Sequence, residues 1–240
     1  MIREHFAGDR ASGEVGFHWR GKEVSRLEGF SDAVFAFAVT LLVVSLEVPK
    51  TFHELMDVMR GFPAFGVCFA LLANVWYAHY RFFRRYGLQD PWAVILNCVL
   101  LFFVLFFVYP LKFLFALMLN GGGQIEAHDG RALMLIYGGG YSAVSLVFVL
   151  LYLHALKRRG ELALNELELM RTRRSLIDHI AMTAVGLGSM AIALILPLNL
   201  VGLAGYFYFM IGVYFTLAGL LFGKRERLLA IRQASVNPPE

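Results

Sequence analysis

The apolar residues of this chain fall into long continuous blocks. Four stretches contain no Lys, Arg, Asp or Glu, and they cover residues 61–80, 91–111, 132–156 and 180–223. A transmembrane helix needs roughly 20 consecutive apolar residues. The last stretch has 44 residues and is interrupted by Pro197, Leu198 and Asn199, so it predicts two spans joined by a tight turn. An earlier apolar segment, residues 31–48, brings the predicted number of spans to six.

Composition supports an all-α, polytopic membrane protein. Hydrophobic residues make up 58% of the 240 positions and charged residues only 17%, and a soluble domain of this size could not bury so much apolar surface. We expect an N-terminal arm at 1–25, a six-helix transmembrane domain at 26–223 and a C-terminal tail at 224–240. No separate soluble domain is predicted.

The distribution of Lys and Arg predicts the orientation in the membrane. The N-terminal arm, the second and fourth connections and the tail together hold 18 of the 22 basic residues, against 4 on the other side. Basic loops remain cytoplasmic, so both termini are expected in the cytoplasm and the protein in the cell (inner or plasma) membrane. The net charge of +4 then reflects orientation among membrane lipids, and no nucleic-acid partner is expected.

The connections carry few further signals. Residues 157–174 alternate leucines with acids between basic residues, which is typical of a cytoplasmic or interfacial helix joining spans four and five. Residues 51–59 are expected to cap or begin the second helix on the outer side. The mixed charge of the first 30 residues argues against a signal peptide. Cys68 and Cys98 both fall in predicted spans, where they are expected to act as small apolar packing residues.

Glycine-rich stretches could indicate a filter or an active site. The sequence Tyr137-Gly-Gly-Gly-Tyr141 is faintly similar to a potassium-channel filter, but that filter is a re-entrant loop of carbonyls. Here the stretch lies inside an apolar run, where small residues more often allow helices to pack closely. The Gly186–Ser189 stretch is interpreted in the same way. Because no Gly-x-Ser-x-Gly nucleophile elbow is present, an intramembrane hydrolase is not expected, and we expect the protein not to be an enzyme.

Three histidines could in principle hold a haem or a zinc ion. His79, His154 and His179 all lie near the cytoplasmic ends of their predicted spans. A buried cofactor needs ligands that face each other at matched depth, and no paired spacing occurs. Hydrogen-bonded or interfacial histidines are therefore the preferred interpretation, and neither a metal site nor a cofactor is expected.

The first predicted helix carries one narrow stripe that could line a pore. At 100° per residue the stripe contains Ala33, Phe37, Thr40, Val44 and then Glu47 or Val48. Around a shared axis, its apolar side chains would form constricting rings with a ring of Thr40 hydroxyls between them, and Glu47 would lie at the outer mouth. Hydrophobic rings gate by constriction and dewetting. An ordinary packed helix face would show the same periodicity, so that alternative stays open.

A polar cluster opens the same helix: Arg26, Phe30, Ser31 and Asp32. Arg26 and Asp32 lie about 240° apart on a helix, so they cannot form a local i,i+4 ion pair. Each is expected to find partners on other helices, which predicts a structural network joining the first helix to the bundle. The candidate partners near the cytoplasmic level are Trp76, His79, Asn97, Asp178 and His179.

These residues carry a family resemblance. The pattern Arg-x-x-x-Phe-Ser-Asp at residues 26–32 resembles the signature of the transmembrane protein 175 family of potassium channels, in its single-repeat prokaryotic branch. Trp76 and His79 resemble the Trp-x-x-His that ends the second helix of that family, and Asn97 and Pro110 fall suitably in the third. The resemblance is specific over residues 26–49 and only architectural beyond Pro110.

The resemblance implies a homotetramer in which four first helices line a central pore that has no carbonyl filter. Its constriction would fall on Phe37, Thr40 and Val44, with passive conduction of potassium and other monovalent cations. The family usually has Ile or Leu where this chain has Phe37. The alternative function is a secondary transporter that uses Asp32 and Asp178, but the inverted repeats typical of transporters are not evident. A scaffold that docks partners on its cytoplasmic linker is a third interpretation.

Overall fold

The computed structural model describes residues 17–21, 23–44, 49–119 and 127–236. These residues contain no strand, which confirms the all-α prediction. A short 3₁₀ turn at Leu198–Leu200 accompanies the α-helices, which are α1 Arg26–Val44, α2 Phe52–Arg60, α3 Phe62–Tyr86, α4 Pro91–Leu119, α5 Ala127–Lys157, α6 Glu166–Ile195, α7 Leu203–Tyr206 and α8 Phe209–Val236.

Five segments of the described chain are long and apolar enough to cross a membrane. They are α3, the first 23 residues of α4, most of α5, α6, and the segment Leu198–Phe222, which includes α7 and the start of α8. A multi-pass protein is thereby confirmed. Helix α1 would be the sixth span, but residues 45–48 of the predicted first span lie outside the described residues. The count of six therefore stays a prediction.

The predicted outer cap is a separate short helix. Thr51 caps α2 by accepting a hydrogen bond from the Glu54 backbone N–H through its side chain, which satisfies one of the free donors at a helix start. Gly61 then separates α2 from α3. Pro63 follows in the first turn of α3, where its missing N–H costs nothing.

The linker between α5 and α6 differs from the prediction of one cytoplasmic or interfacial helix over 157–174. Residues 158–163 form turns, and α6 begins at Glu166, well before the apolar stretch that starts at residue 180. The physical reason is a capping box, in which the Asn165 side chain accepts from the Glu168 N–H while Glu168 accepts from the Asn165 N–H. The basic residues after it therefore belong to the first turns of a spanning helix.

Helices α5 and α6 approach closely at glycines. A Cβ atom on Gly186 would lie 3.0 Å from the Gly138 carbonyl oxygen and would overlap Ser142 Oγ. Both glycine-rich stretches are helical, which confirms the packing interpretation of residues 137–141 and 186–189. Small residues let two backbones approach in this way where lipid provides no hydrophobic drive for association.

Helices α1, α3, α4 and α5 share the main core. Its largest fully buried side chains include Phe82, Phe83 and Tyr86 near the C-terminal end of α3. Helix α1 packs on α3 and α4, whereas α6 packs on α5, α7 and α8. The first helix therefore lies on one side of the chain, with one face against the bundle and one face away from it.

Candidate functional site

The buried face of α1 follows helical spacing. Ser31, Phe35, Ala38 and Leu42 are all buried, with Phe35 only 4% exposed, and they succeed one another at intervals of four, three and four residues. This spacing places them along one side of a 3.6-residue helix. They attach α1 to α3 and α4.

The opposite face contains the predicted stripe. Ala33, Phe37 and Thr40 are exposed in the single chain, and Phe37 has 56% of its surface free. A large aromatic side chain left exposed on a membrane helix faces lipid, a pore or another copy. The side chain of Val44 and the whole of Glu47 lie outside the described residues, so the stripe is located only as far as Thr40.

Thr40 has a defined hydroxyl orientation. Its Oγ1 donates to the Phe37 carbonyl oxygen at 2.7 Å, the local bond that Ser and Thr often form in helices. A hydroxyl has one hydrogen and two lone pairs. Because the hydrogen is engaged with the backbone, the oxygen lone pairs remain available on the exposed side.

A buried polar chain connects α1 to the bundle. Asn97 Nδ2 of α4 donates to Ser31 Oγ at 2.9 Å, and Ser31 in turn donates to the Leu27 carbonyl at 2.8 Å. His79 Nε2 of α3 lies 2.7 Å from Asn97 Oδ1. An amide oxygen only accepts, so Nε2 carries the proton. All of these polar side chains are paired, which is the requirement for burying them.

Asp32 finds its partner at the edge of this network. The Trp76 indole N–H of α3 donates to Asp32 Oδ1 at 2.8 Å, which confirms the prediction of a partner on another helix. Arg26 and Phe30 instead lie exposed at the start of α1. In the described part of the chain, Arg26 forms no hydrogen bond or ion pair.

Asp178 and His179 are not part of the network. Asp178 accepts from the Tyr214 hydroxyl of α8 at 2.8 Å, and His179 Nδ1 lies 2.8 Å from the Ser175 carbonyl of its own helix. Both residues belong to α6, which packs away from α1. Asp32 and Asp178 therefore occupy separate sites, and no observation supports a transporter site built from the two.

The sequence interpretation missed a second polar cluster in the loop before α4. Both carboxylate oxygens of Asp90 lie 3.0 Å from His154 Nε2 of α5, and Arg158 Nη1 donates to Asp90 Oδ2 at 2.8 Å. Burial opposes ionisation of Asp90, but hydrogen bonds from His154, the Ala93 N–H and Arg158 outweigh it and lower its pKa. The Asp-Pro pair before an apolar run was the available signal.

All three candidate histidines are hydrogen-bonded, as the preferred interpretation expected. Among the described residues, no group of three His, Cys, Asp or Glu side chains could hold a metal ion.

Lys112 was also missed. Its Nζ donates to the Leu42 carbonyl oxygen at 2.9 Å, near the last described turn of α1. A lone lysine beside a long apolar run was the sequence signal.

Phe37 also faces a groove between α1 and α4. The groove has a volume of about 580 Å³, and its lining consists of Phe37, Leu41, Phe102, Leu105, Phe106, Tyr109 and Pro110. Apolar side chains exposed on membrane helices contact lipid or protein. The exposed face of α1 is therefore continuous with an aromatic face of α4.

These features define a class: an all-helical, multi-pass membrane protein whose first helix is fixed by buried polar bonds on one face and presents an apolar stripe on the other. The family model described as the endosomal/lysosomal potassium channel TMEM175 matches residues 26–107, which include every residue of the Ser31 and Asp32 contacts. Together with the relative described next, this match shows that the chain belongs to the TMEM175 family.

One relative is similar along nearly its whole length. A protein of Marivirga tractuosa named potassium channel is 40% identical over 230 residues, which cover 89% of this chain and 93% of the relative. A potassium channel of Chamaesiphon minutus is 30% identical over 141 residues, covering 55% of this chain and 66% of the relative.

Two solved structures share the fold. The crystal structure of a single-substitution variant of the potassium channel MtTMEM175, in complex with a nanobody–MBP fusion protein, superimposes with a TM-score of 0.79 at 38% identity, covering 88% of this chain and 98% of the other. A lysosomal potassium-selective channel TMEM175 homologue from Chamaesiphon minutus gives a TM-score of 0.56 at 26% identity, over 80% and 95% of the two chains.

Proposed function

We propose that this protein is a potassium channel that conducts passively through a pore lined by α1. The observation that carries the proposal is the division of α1 into a face fixed to α3 and α4 and an exposed face with Phe37 and Thr40. The family membership and the names of the relatives support potassium as the permeant ion.

The assembly we propose is a homotetramer in which four copies of α1 surround one axis. A single chain offers only one stripe, so a closed ring of identical subunits is needed to enclose a pore. Phe37, Thr40 and Val44 would form successive rings, and Glu47 would lie at the outer mouth. Arg26 and Phe30, exposed at the start of α1 in one chain, would serve contacts between subunits.

The chemistry of the rings explains both conduction and restriction. A ring of Phe37 side chains offers no ligand to replace the water around an ion, so it opposes passage where it is narrow. The Thr40 oxygen, whose hydrogen is engaged by the Phe37 carbonyl, presents lone pairs that favour a cation. The aromatic ring is larger than an aliphatic side chain, so a low conductance is expected.

The polar residues on the buried face have a different role in this proposal. Ser31, Asn97 and His79 hold α1 in register with α3 and α4, and the Asp32–Trp76 bond fixes its cytoplasmic end. They act on the pore through the position of α1 and do not touch the ion.

We place the protein in the cell membrane with both termini in the cytoplasm. The support is the asymmetry of 18 basic residues on one side against 4 on the other. A cysteine introduced at position 165 should react with a membrane-impermeant reagent only from the cytoplasm, and one at position 200 only from outside. Labelling of position 165 from outside would contradict this orientation.

The function is tested with purified protein in liposomes. Under opposed potassium and sodium gradients, the proposal predicts a current without any coupled substrate and a reversal potential displaced toward the potassium equilibrium value. Absence of current, or flux that requires a co-substrate, would contradict the channel.

A further inference from the structure

Residues 17–21, a few positions before α1, pack against the cytoplasmic end of the bundle. Phe17 is only 2% exposed and packs edge-on against Tyr86 of α3, with 5.9 Å between ring centroids. The Arg85 guanidinium carbon lies 4.9 Å from the centroid of the Phe17 ring, within the range of a cation–π contact. Phe17 is therefore an aromatic anchor of the described part of the arm.

Arg20 forms the central contact of this segment. Its Nη1 and Nη2 donate to the two carboxylate oxygens of Glu168, at 3.1 and 2.8 Å, and its Nε donates to the Leu162 carbonyl at 2.7 Å. The Glu168 side chain is 1% exposed and that of Arg20 16%. A forked guanidinium–carboxylate pair is the strong, directional form of an ion pair.

Glu168 joins three parts of the chain. Besides Arg20, it accepts from the His18 N–H at 2.8 Å and from the Asn165 N–H at 3.0 Å. The Thr172 hydroxyl donates to the Glu168 carbonyl and lies 2.7 Å from the Tyr86 hydroxyl. The buried Glu168 carboxylate therefore holds together the arm, the cytoplasmic linker and the start of α6, and the backbone carbonyl of the same residue is linked to α3 through Thr172.

Gly21 fixes the arm to the end of α3. Its N–H donates to the Arg84 carbonyl at 3.1 Å, while Arg84 Nη1 donates to the Gly21 carbonyl at 2.8 Å. A Cβ on Gly21 would lie 2.9 Å from the Phe83 carbonyl oxygen, so only glycine allows this close approach. Arg26, the first residue of α1, follows five positions later.

Five residues span at most about 17 Å, so the anchored arm limits where α1 can begin. We propose that the Arg20–Glu168 pair is a positioning element that holds the cytoplasmic end of α1 against its own subunit and thereby keeps the pore open. The inference rests on the proposed function, because it requires α1 to line the pore. Its physical basis is that exposed apolar faces of four α1 helices would bury one another if the helices were released.

The test is single-channel recording of purified protein in bilayers. Arg20→Met retains length and removes the charge and the donors, and Glu168→Gln removes the other charge. Each is expected to lower the open probability about fivefold or more, with unchanged single-channel current and unchanged reversal potential between potassium and sodium. The double variant should lower the open probability no further than either single variant does, because the two residues act as one unit.

A matched control distinguishes this effect from a general change in the linker. Glu161→Gln removes an acid that is 66% exposed in its side chain and is bonded to Arg158, and it should leave the open probability unchanged. Arg20→Lys, which keeps the charge but loses the fork, should be intermediate. A purely structural role would reduce the number of channels and leave the open probability of each one unaltered.

Open probabilities of Arg20→Met and Glu168→Gln equal to or above the wild-type value would overturn the inference. If Arg20→Met does not yield folded protein, the open probability of Arg20→Lys is measured instead. A value equal to that of the wild type would overturn the inference. A wild-type protein that passes no potassium would instead refute the proposed function, so the two failures are distinguishable.

Discussion

Asn97 of α4 donates a hydrogen bond of 2.9 Å to Ser31 of α1, and both side chains are completely buried. The bond lies on the face of α1 opposite to Phe37. A buried donor or acceptor left without its partner costs about 1–3 kcal/mol. The position of the exposed stripe therefore depends on a polar contact that it does not itself include.

Replacing the centre of this network should destabilise the protein. Asn97→Leu leaves His79 and Ser31 without their partner, at an expected cost of about 1–3 kcal/mol, and should lower the apparent melting temperature in detergent. The control is Cys98→Ala at the exposed neighbouring position, which should change little. Equal melting temperatures for Asn97→Leu and the wild type would show that the network contributes nothing to stability.

The Asp90 cluster predicts a dependence on pH. Its hydrogen bonds lower the pKa of Asp90 in the folded protein, so their stabilising contribution is present above the unfolded pKa of about 3.9 and is lost as pH falls through the folded value. Asp90→Asn removes this contribution while keeping a side chain that can cap α4. The wild type should melt higher than the variant at neutral pH, and the difference should shrink below about pH 4. A difference that is constant across pH would contradict the assignment.

Helical glycines with different surroundings provide a matched pair. Gly186→Ala places a Cβ against Ser142 Oγ and the Gly138 carbonyl, and overpacking of this kind costs about 1–3 kcal/mol. A Cβ on Gly139 would meet nothing within 4 Å, so Gly139→Ala should be neutral or stabilising by about 0.5–1 kcal/mol. Thermal unfolding measures both. A similar loss of stability in both variants would indicate that these helices do not tolerate alanine in general.

Much of the fold could be predicted from the sequence because a helix that crosses the bilayer needs roughly 20 consecutive apolar residues. The apolar runs located α3, α4, α5 and the pair of helices separated at Pro197. The start of α6 was not predictable from hydropathy, since Asn165 and Glu168 determine it through a capping box inside a charged stretch. Arg20 was visible only as one basic residue among several in the arm.

The candidate site was predictable to different degrees on its two faces. Helical spacing alone assigned Ala33, Phe37 and Thr40 to one side of α1. The partner of Asp32 could not be chosen from the sequence, because Trp76 and His179 were both possible hydrogen-bond donors at a similar depth. The family resemblance, carried by Arg26, Phe30, Ser31 and Asp32, is what favoured the pore hypothesis over an ordinary packed face.

The Thr40 hydroxyl is expected to contribute to ion preference. Thr40→Val nearly preserves volume and removes the oxygen whose hydrogen is bonded to the Phe37 carbonyl, so it should reduce the preference for potassium over sodium. Thr40→Ser keeps a hydroxyl and should retain more of that preference. Reversal potentials under mixed potassium and sodium gradients compare the variants. An unchanged reversal potential for Thr40→Val would contradict a role of Thr40 in ion selection.

The most direct test of the account compares two phenylalanines of α1 that differ in exposure, Phe37 at 56% and Phe35 at 4%. Potassium and sodium flux is measured in liposomes that contain equal amounts of folded protein. Phe37→Ala should raise cation flux and weaken potassium preference, because a smaller ring is wider and wetter. Phe35→Ala should instead cost about 3–5 kcal/mol of stability without raising flux. Wild-type flux through Phe37→Ala, or the same increase in both variants, would contradict a pore lined by the Phe37 face of α1.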